Sequence, residues 1–372
     1  MTPGAPPRPT SIARPASRLE ALRSAMRDAG LAALLVTRMV NVRYLSGFTG
    51  SAGMLALRLD AARLVTDGRY RTQAGSQLVE SGSDALVELD VRSTAADAEA
   101  AVSAFFGDFE VALEDHSVTW AQLRRLEASF ATPPVAGGRL VEDLRRVKDE
   151  AEIDRIAAAC AIGDAAFARV VGSLAEGVTE RDVALALETE MRALGASGNS
   201  FDPIVASGPN GAMPHARPTE RPIQPGELVV MDFGCIYDGY CSDMTRTVSV
   251  GSPPSDAVEL WELVERAQRA GVSSVGPGVS CAEVDAACRS IIVEAGHGDL
   301  FSHSTGHGVG LEIHEDPRVS ATGGATLRAG DIVTVEPGVY LPGVGGVRLE
   351  DTLVVTADGA AALTHTPKQM VL

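Results

Sequence analysis

The chain has only five cysteines, Cys160, Cys235, Cys241, Cys281 and Cys288, and no C-x-x-C pair. An odd number without that spacing excludes a disulfide scaffold and a thiol redox motif, and leaves free thiols in a reducing cytoplasm as the expectation. Basic residues are also in deficit: 32 Lys and Arg stand against 49 Asp and Glu, a formal charge of −17. Non-specific nucleic-acid binding needs a basic surface to displace counterions, so it is excluded, and so is an anionic membrane surface. A membrane helix requires a run of about 20 apolar residues, which the sequence pattern does not offer. Residues Met1 to Ser17 carry Pro, Ala and Arg rather than the apolar core of a signal peptide, so residues 1–16 read as a flexible tail.

What is present is enough for a large core, with 45% hydrophobic residues over 372 positions, or two to three domains at about 150 residues each. The first half alternates strands (31–37, 54–59, 63–66, 109–113) with helices (17–29, 70–78, 119–129), the pattern of a small α/β domain over residues 17–135. Residues 41–53, with scattered Gly, Ser and Asn, read as turns. The boundary is expected in the segment Pro133 to Gly138. Residues 136–372 then carry helices at about 150–174, 179–194, 256–272 and 281–294, with strands between them. Thr179 followed by Asp182 gives the third residue pattern of a capping box, with Asp in the usual place of Glu or Gln.

Two segments of this second half are alike. Gly226-Glu-Leu-Val-Val-Met-Asp232-Phe-Gly234 matches Gly330-Asp-Ile-Val-Thr-Val-Glu336-Pro-Gly338. Each is a Gly and an acid, an apolar strand, a carboxylate six residues after the first Gly, and a further Gly. Each leads through a turn to a second strand bearing another acid, Asp243 in the first case and Glu350 in the second. A lone ionised carboxylate inside an apolar strand is expensive to bury. One such acid is ordinarily a paired residue; four on matched hairpins would repel one another unless a cation neutralised them. Oxygen-rich donors suit Mn²⁺ or Mg²⁺, and one histidine shifts the choice toward borderline metals.

The histidines cluster late, in His303-Ser-Thr-Gly-His307-Gly-Val-Gly-Leu-Glu-Ile-His314. Gly306, Gly308 and Gly310 argue against a helix here and suggest close backbone approach to a bound ion or substrate. Neither an H-E-x-x-H pair nor a dinucleotide fingerprint is formed. His215 lies on a loop between two strands, where a binding residue can project. His297 and His365 look incidental, and His116 lies outside the chemical half.

These residues together resemble the Xaa-Pro aminopeptidase and prolidase group. The likeness runs through Asn41–Gly53, Val65–Tyr70, Asp202–Gly208, Pro214-His215, Met231–Gly234, Ser242–Thr247, Ser304–Gly308, Val335–Gly338 and Val347–Asp351. The resemblance implies an α+β chain: a small creatinase/prolidase-like N-terminal α/β domain, then a pita-bread catalytic domain of sheet flanked by helices about a pseudo-twofold axis. It implies two divalent ions, Mn²⁺ first and Co²⁺ or Zn²⁺ as alternatives. Asp232 would hold one ion, His307 and Glu336 the other, and Asp243 and Glu350 both, with a bridging hydroxide as nucleophile. Glu336 would also manage its proton. His215 and His314 would position the scissile carbonyl, and His303 and Arg348 would orient the site from the substrate side.

The implied activity is that of an Xaa-Pro aminopeptidase acting on peptides with proline second, in a cytoplasmic homodimer or larger homo-oligomer. The neighbouring alternative is an Xaa-Pro dipeptidase. A different class is a pita-bread binding protein without catalysis, but such relatives lose metal ligands and this chain has all five. Methionine aminopeptidases lack the N-terminal domain and fit less well.

Overall fold

The computed structural model describes residues 15–371, so the expected tail lies outside the described residues except at its end: Pro15 and Ala16 already open the helix Pro15–Asp28. Backbone contacts divide the chain into two compact units that meet in sequence at Arg145 and Arg146. That boundary is later than Pro133–Gly138, because Val135–Ala136 forms a strand parallel to Val111–Leu113 and belongs to the first unit's sheet.

The first unit is a six-stranded mixed sheet. Its order is Glu88–Arg92, Ala62–Asp67, Gly53–Arg58, Ala33–Val36, Val111–Leu113 and Val135–Ala136. One face is covered by Val102, Phe105, Phe106, Leu126 and Phe130 from the helices Ala95–Phe106 and Trp120–Ser129 and the residue that ends the latter. Of residues 41–53, expected as turns, 41–46 belong to the helix Met39–Ser46. The polar residue there that suggested a turn is buried and satisfied: Asn41 donates to Glu114 Oε1 at 2.6 Å and to Glu142 Oε1 at 2.7 Å. Tertiary partners thus override a local preference.

The second unit repeats one arrangement twice. Helices Glu150–Val170 and Glu180–Ala193 pack Ile162, Phe167, Leu187 and Met191 against Val229, Met231 and Phe233 of the strand Leu228–Phe233. Helices Ser255–Ser274 and Cys281–Glu294 pack Val264, Val284, Cys288 and Ile292 against Val333 and Val335 of Ile332–Val335 and against Leu353 and Val355 of Asp351–Val355. The Thr179 capping box with Asp182 is formed as read, and Asp149–Glu152 and Ser280–Glu283 form two more. Phe233 stacks on Phe167 with ring centroids 6.0 Å apart. Its truncation to alanine would cost about 3–5 kcal/mol and loosen the strand beside Asp232.

The helix Glu150–Val170 with its 3₁₀ extension to Ser173 meets the length and composition of a membrane span, unlike the pattern read from sequence. Half of its apolar window is buried, and Ala159, Ile162, Ala166, Phe167 and Val170 pack into this unit's core. All five cysteines are buried free thiols. Burial pushes the Cys235 thiol up to about 11 and the Cys241 thiol up to about 12, so both are inert packing groups at neutral pH.

Candidate metal centre

The two hairpins deliver their acids beside the same kind of break in the ladder. In the first, Leu228–Phe233 pairs antiparallel with Met244–Ser249, and the ladder ends at Phe233 opposite Met244. Asp232 sits inside the last pairs and Asp243 directly before the partner strand. In the second, Ile332–Val335 pairs with Asp351–Val355 and ends at Val335 opposite Asp351. Glu336 directly follows one strand and Glu350 directly precedes the other. Past each interruption the pairing resumes in the same register, Ile236 opposite Cys241 in the first hairpin and Gly338 opposite Arg348 in the second, so the acids lie at a break within each hairpin.

Hydrogen bonds stitch the hairpins to each other. Thr245 Oγ1 donates to Glu350 Oε2 at 2.8 Å, the Glu350 amide to the Thr245 carbonyl at 3.2 Å, and Thr352 Oγ1 to the Asp243 carbonyl at 2.8 Å. Beneath them the buried Arg246 donates to the carbonyls of Glu350 and Thr366 and to Asp351 Oδ1. The backbones of Asp243 and Glu350 are therefore each tied to the opposite hairpin.

His307 completes the group from the strand Gly306–Gly308. Its Nδ1 donates to the Gly308 carbonyl at 3.0 Å, which leaves Nε2 as the free lone pair. Nε2 lies 3.4 Å from both Asp243 Oδ2 and Glu336 Oε1. One donor atom each from Asp243, His307 and Glu350 lies within 4.8 Å of the others, a spacing that one cation can span. The flanking glycines serve a different end from the one expected. A Cβ on Gly306 would lie 1.9 Å from the Thr334 carbonyl oxygen, and one on Gly308 would lie 2.4 Å from that of Asp316. The neighbouring strands, not an ion or a substrate, occupy that space.

The electrostatics of the cluster call for positive charge. Burial, then the charges of Asp232 and Glu336, hold the Asp243 carboxyl well above its usual range. Burial, then Asp243, Glu336 and Asp232, do the same to Glu350, and burial raises Glu336. Two oxygens, Asp232 Oδ1 and Glu350 Oε1, are fully enclosed and accept no hydrogen bond. Such an orphan costs about 1–3 kcal/mol, more when charged. Buried, unsatisfied, hard oxygen donors beside a free imidazole nitrogen fit divalent cations.

Arg348 is the cation nearest these acids. It donates to Asp232 Oδ2 at 2.5 Å, to Thr245 Oγ1 at 3.1 Å, to the Tyr340 hydroxyl at 2.7 Å and to the Pro214 carbonyl at 3.2 Å. Burial works against its charge, but Tyr340, Asp232 and Glu336 hold its pKa well above the usual value. Tyr340 in turn bonds His303 Nε2 at 2.9 Å, and His303 Nδ1 donates to the Ser304 carbonyl at 2.7 Å. Burial and then the Arg348 charge lower His303 to about 4, so its imidazole is neutral.

The sequence reading missed Tyr340, Thr245 and Thr334, whose hydroxyl accepts from the His307 amide at 3.1 Å and donates to Glu336 Oε1 at 3.3 Å. A tyrosine or threonine in a strand looks like ordinary sheet composition, and no spacing rule marks these three. His314 stands against His307, with ring centroids 4.3 Å apart in a T-shaped contact. His215 is exposed on the loop whose Pro214 carbonyl Arg348 holds, and it acts electrostatically on both His303 and His314. Thus the five expected ligands, His303 and Arg348 are gathered directly, and the two remaining histidines flank them.

Four carboxylates and an imidazole gathered where two like hairpins interrupt their ladders describe a chain of the metallohydrolase class. Residues 154–357 match the metallopeptidase family M24, and residues 18–147 match the creatinase/prolidase N-terminal domain. The chain belongs to metallopeptidase family M24, with a creatinase-like N-terminal domain before the pita-bread domain of that family. The family implies divalent metal ions. An uncharacterised peptidase of Bacillus subtilis (strain 168) is 40% identical over 363 residues, spanning 95% of this chain and 99% of that protein. The solved Xaa-Pro dipeptidase from Bacillus anthracis superposes with a TM-score of 0.92 at 37% identity, covering 96% of this chain and all of that one (100%). The X-Pro aminopeptidase from Thermotoga maritima MSB8 gives a TM-score of 0.85 at 34% identity, over 95% and 99% of the two chains.

Proposed function

We propose that this chain hydrolyses the peptide bond before a proline that is the second residue of its substrate, using two divalent cations held by Asp232, Asp243, His307, Glu336 and Glu350. The observation that carries the proposal is the buried acid cluster with its two unsatisfied oxygens, Asp232 Oδ1 and Glu350 Oε1, in a chain of the M24 family. Four carboxylates against the single charge of Arg348 leave an excess of three negative charges, which one dication does not cancel and two do. Asp232 lies on the Arg348 side and would hold one ion. His307 and Glu336, 3.4 Å apart, would hold the other, and Asp243 and Glu350 would serve both.

When bound, the ions supply Lewis acidity toward the scissile carbonyl and lower the pKa of water. Glu336 accepts the proton of the attacking water and delivers it to the proline nitrogen. That nitrogen, in a tertiary amide, has no hydrogen of its own and must be protonated to leave. His215 and His314 donate to the carbonyl oxygen as it gains charge. Neutral His303 and the Arg348–Tyr340 pair keep the substrate side polar without adding carboxylates.

Mn²⁺ is the proposed metal, with Co²⁺ and Zn²⁺ the competitors. As to length, the fuller likeness to a protein named an Xaa-Pro dipeptidase favours dipeptides over the longer peptides expected from sequence. The likeness to an X-Pro aminopeptidase keeps the longer substrates as the second reading. The test is a rate assay on metal-stripped protein reloaded with each ion, comparing Xaa-Pro with Xaa-Pro-Xaa. Turnover of the dipeptide alone supports the first reading, and release of the first residue from the tripeptide supports the second. No turnover with any ion would overturn the peptidase proposal itself.

A further inference from the structure

A buried acid that none of this chemistry uses lies in the same unit. Glu180 is the first residue of the helix Glu180–Ala193 and has no solvent exposure (0%). Its carboxylate is not spent on its own helix, because Thr179 and Asp182 already cap that end. It turns instead to the segment 207–219. Oε1 accepts from the Ser207 amide at 2.7 Å and the Ser207 hydroxyl at 2.9 Å. Oε2 accepts from the Thr219 amide at 3.0 Å and the Thr219 hydroxyl at 2.6 Å. Asn210 Nδ2 reaches both oxygens at 3.1 Å. One oxygen thus holds the start of the segment, the other holds its end, and Asn210 spans the two.

Midway along the same segment are Pro214, whose carbonyl accepts from Arg348 at 3.2 Å, and His215. His215 is exposed, so the packing of its own side chain does little to fix it. Its place follows from where the segment is pinned: at both ends by Glu180, at Ser207 also by the strand pairing with Val229, and beside it by Arg348. A carboxylate suits the task because it offers acceptors only, and the six contacts it receives are all from donors.

We infer that Glu180 is a positioning residue that sets the reach of His215 toward the substrate carbonyl; this rests on the role given to His215 above. Glu180→Gln keeps the shape but sets an NH₂ group against the donors of Ser207 or of Thr219. The carboxylate's hold on one end is then lost, and the Thr219 end, which has no strand pairing like that of Ser207 with Val229, is the one free to move. A displaced catalytic group costs about 10- to 100-fold in rate. The expected result for Glu180→Gln is that loss in kcat with a smaller change in KM, wild-type metal content, and faster amide exchange confined to residues 208–219.

The deciding experiment combines Glu180→Gln with His215→Ala in the metal-loaded enzyme. If Glu180 acts through His215, the double variant is no slower than His215→Ala alone. Losses that multiply, or a normal kcat in Glu180→Gln, overturn the inference while leaving His215 its role. A normal kcat in His215→Ala overturns the reading of His215 and the inference with it. Should Glu180→Gln not fold, Asn210→Ala removes the span from the loop side and is held to the same criteria.

Discussion

Arg348 and Asp232 join the second hairpin to the first through one hydrogen bond of 2.5 Å, from the guanidinium to Oδ2. The bond satisfies one oxygen of Asp232 and leaves the other, Oδ1, enclosed without a partner. The same guanidinium reaches Tyr340, Thr245 and Pro214, so one side chain fixes an acid, a phenol and the loop of His215. Its five donors in a rigid plane are what make this possible.

Arg348→Ala should therefore cost more than a contact. It leaves the Asp232 carboxylate buried with neither oxygen answered, a loss of about 3–5 kcal/mol. Urea unfolding followed by Trp261 fluorescence measures it, since Trp261 is buried in this unit and donates to the Thr247 carbonyl at 2.9 Å. Arg348→Lys keeps the charge without the fork and should recover only part of the stability and little of the activity. An unchanged urea midpoint in Arg348→Ala would show that the acid finds another partner.

The metal-free protein should become less stable as pH rises. Asp243, Glu336 and Glu350 all have pKa values raised by burial, the first and last well above the usual 3.8 and 4.5. A raised carboxyl binds its proton in the folded state more tightly than in the unfolded state. Its stabilising effect is complete below the unfolded value, near 4, and is lost as pH climbs through the folded one. Thermal melts of stripped protein from pH 5 to 8 should fall steadily, and saturating Mn²⁺ should remove the slope. A flat profile without metal would mean that the cluster does not carry this charge.

Much of this site was legible in the sequence because its acids break a rule. Asp232 and Glu336 interrupt apolar strands, and the break occurs twice in the same frame. The helices were legible for the opposite reason, as with Thr179 and Asp182, where the local pattern and the fold agree. Tyr340 and Thr245 follow the rules of strand composition, so nothing in the sequence separated them from core residues. Asn41 misled, because its partners Glu114 and Glu142 lie 73 and 101 residues away. Gly306 and Gly308 were rightly noticed and wrongly explained: the backbone they admit is that of the adjacent strands.

Asp243→Asn separates the charge of an acid from its shape. In the metal-free protein it removes one of the mutually repelling carboxylates, so the melting temperature at pH 8 should rise. In the presence of Mn²⁺ the order should reverse, because the variant lacks a donor proposed to serve both ions, and turnover should be abolished. Metal content by mass spectrometry and melts with and without Mn²⁺ give both halves of the test. Near-normal turnover at saturating Mn²⁺ would sink the dinuclear arrangement.

The first unit should respond to acid with the opposite sign. Burial alone would raise the pKa of Glu142, but hydrogen bonds from Asn41 and its own backbone, with His116 alongside, bring it down from 4.5 to about 2. Arg38 NH1 and His116 Nε2 contact the same oxygen at 2.7 and 3.0 Å. A lowered carboxyl stabilises the fold above its unfolded value, and that contribution is lost as pH falls from 4.5 through about 2. Discounted for partial solvent contact, it amounts to about 2 kcal/mol. Glu142→Gln should lose this stability at pH 7 and show a shallower further loss on acidification. Amide exchange across the helix Met39–Ser46, followed from pH 7 to 3 in both proteins, reads it directly. Equal protection of that helix at pH 7 in the variant would mean that Asn41 and Glu114 hold it without Glu142.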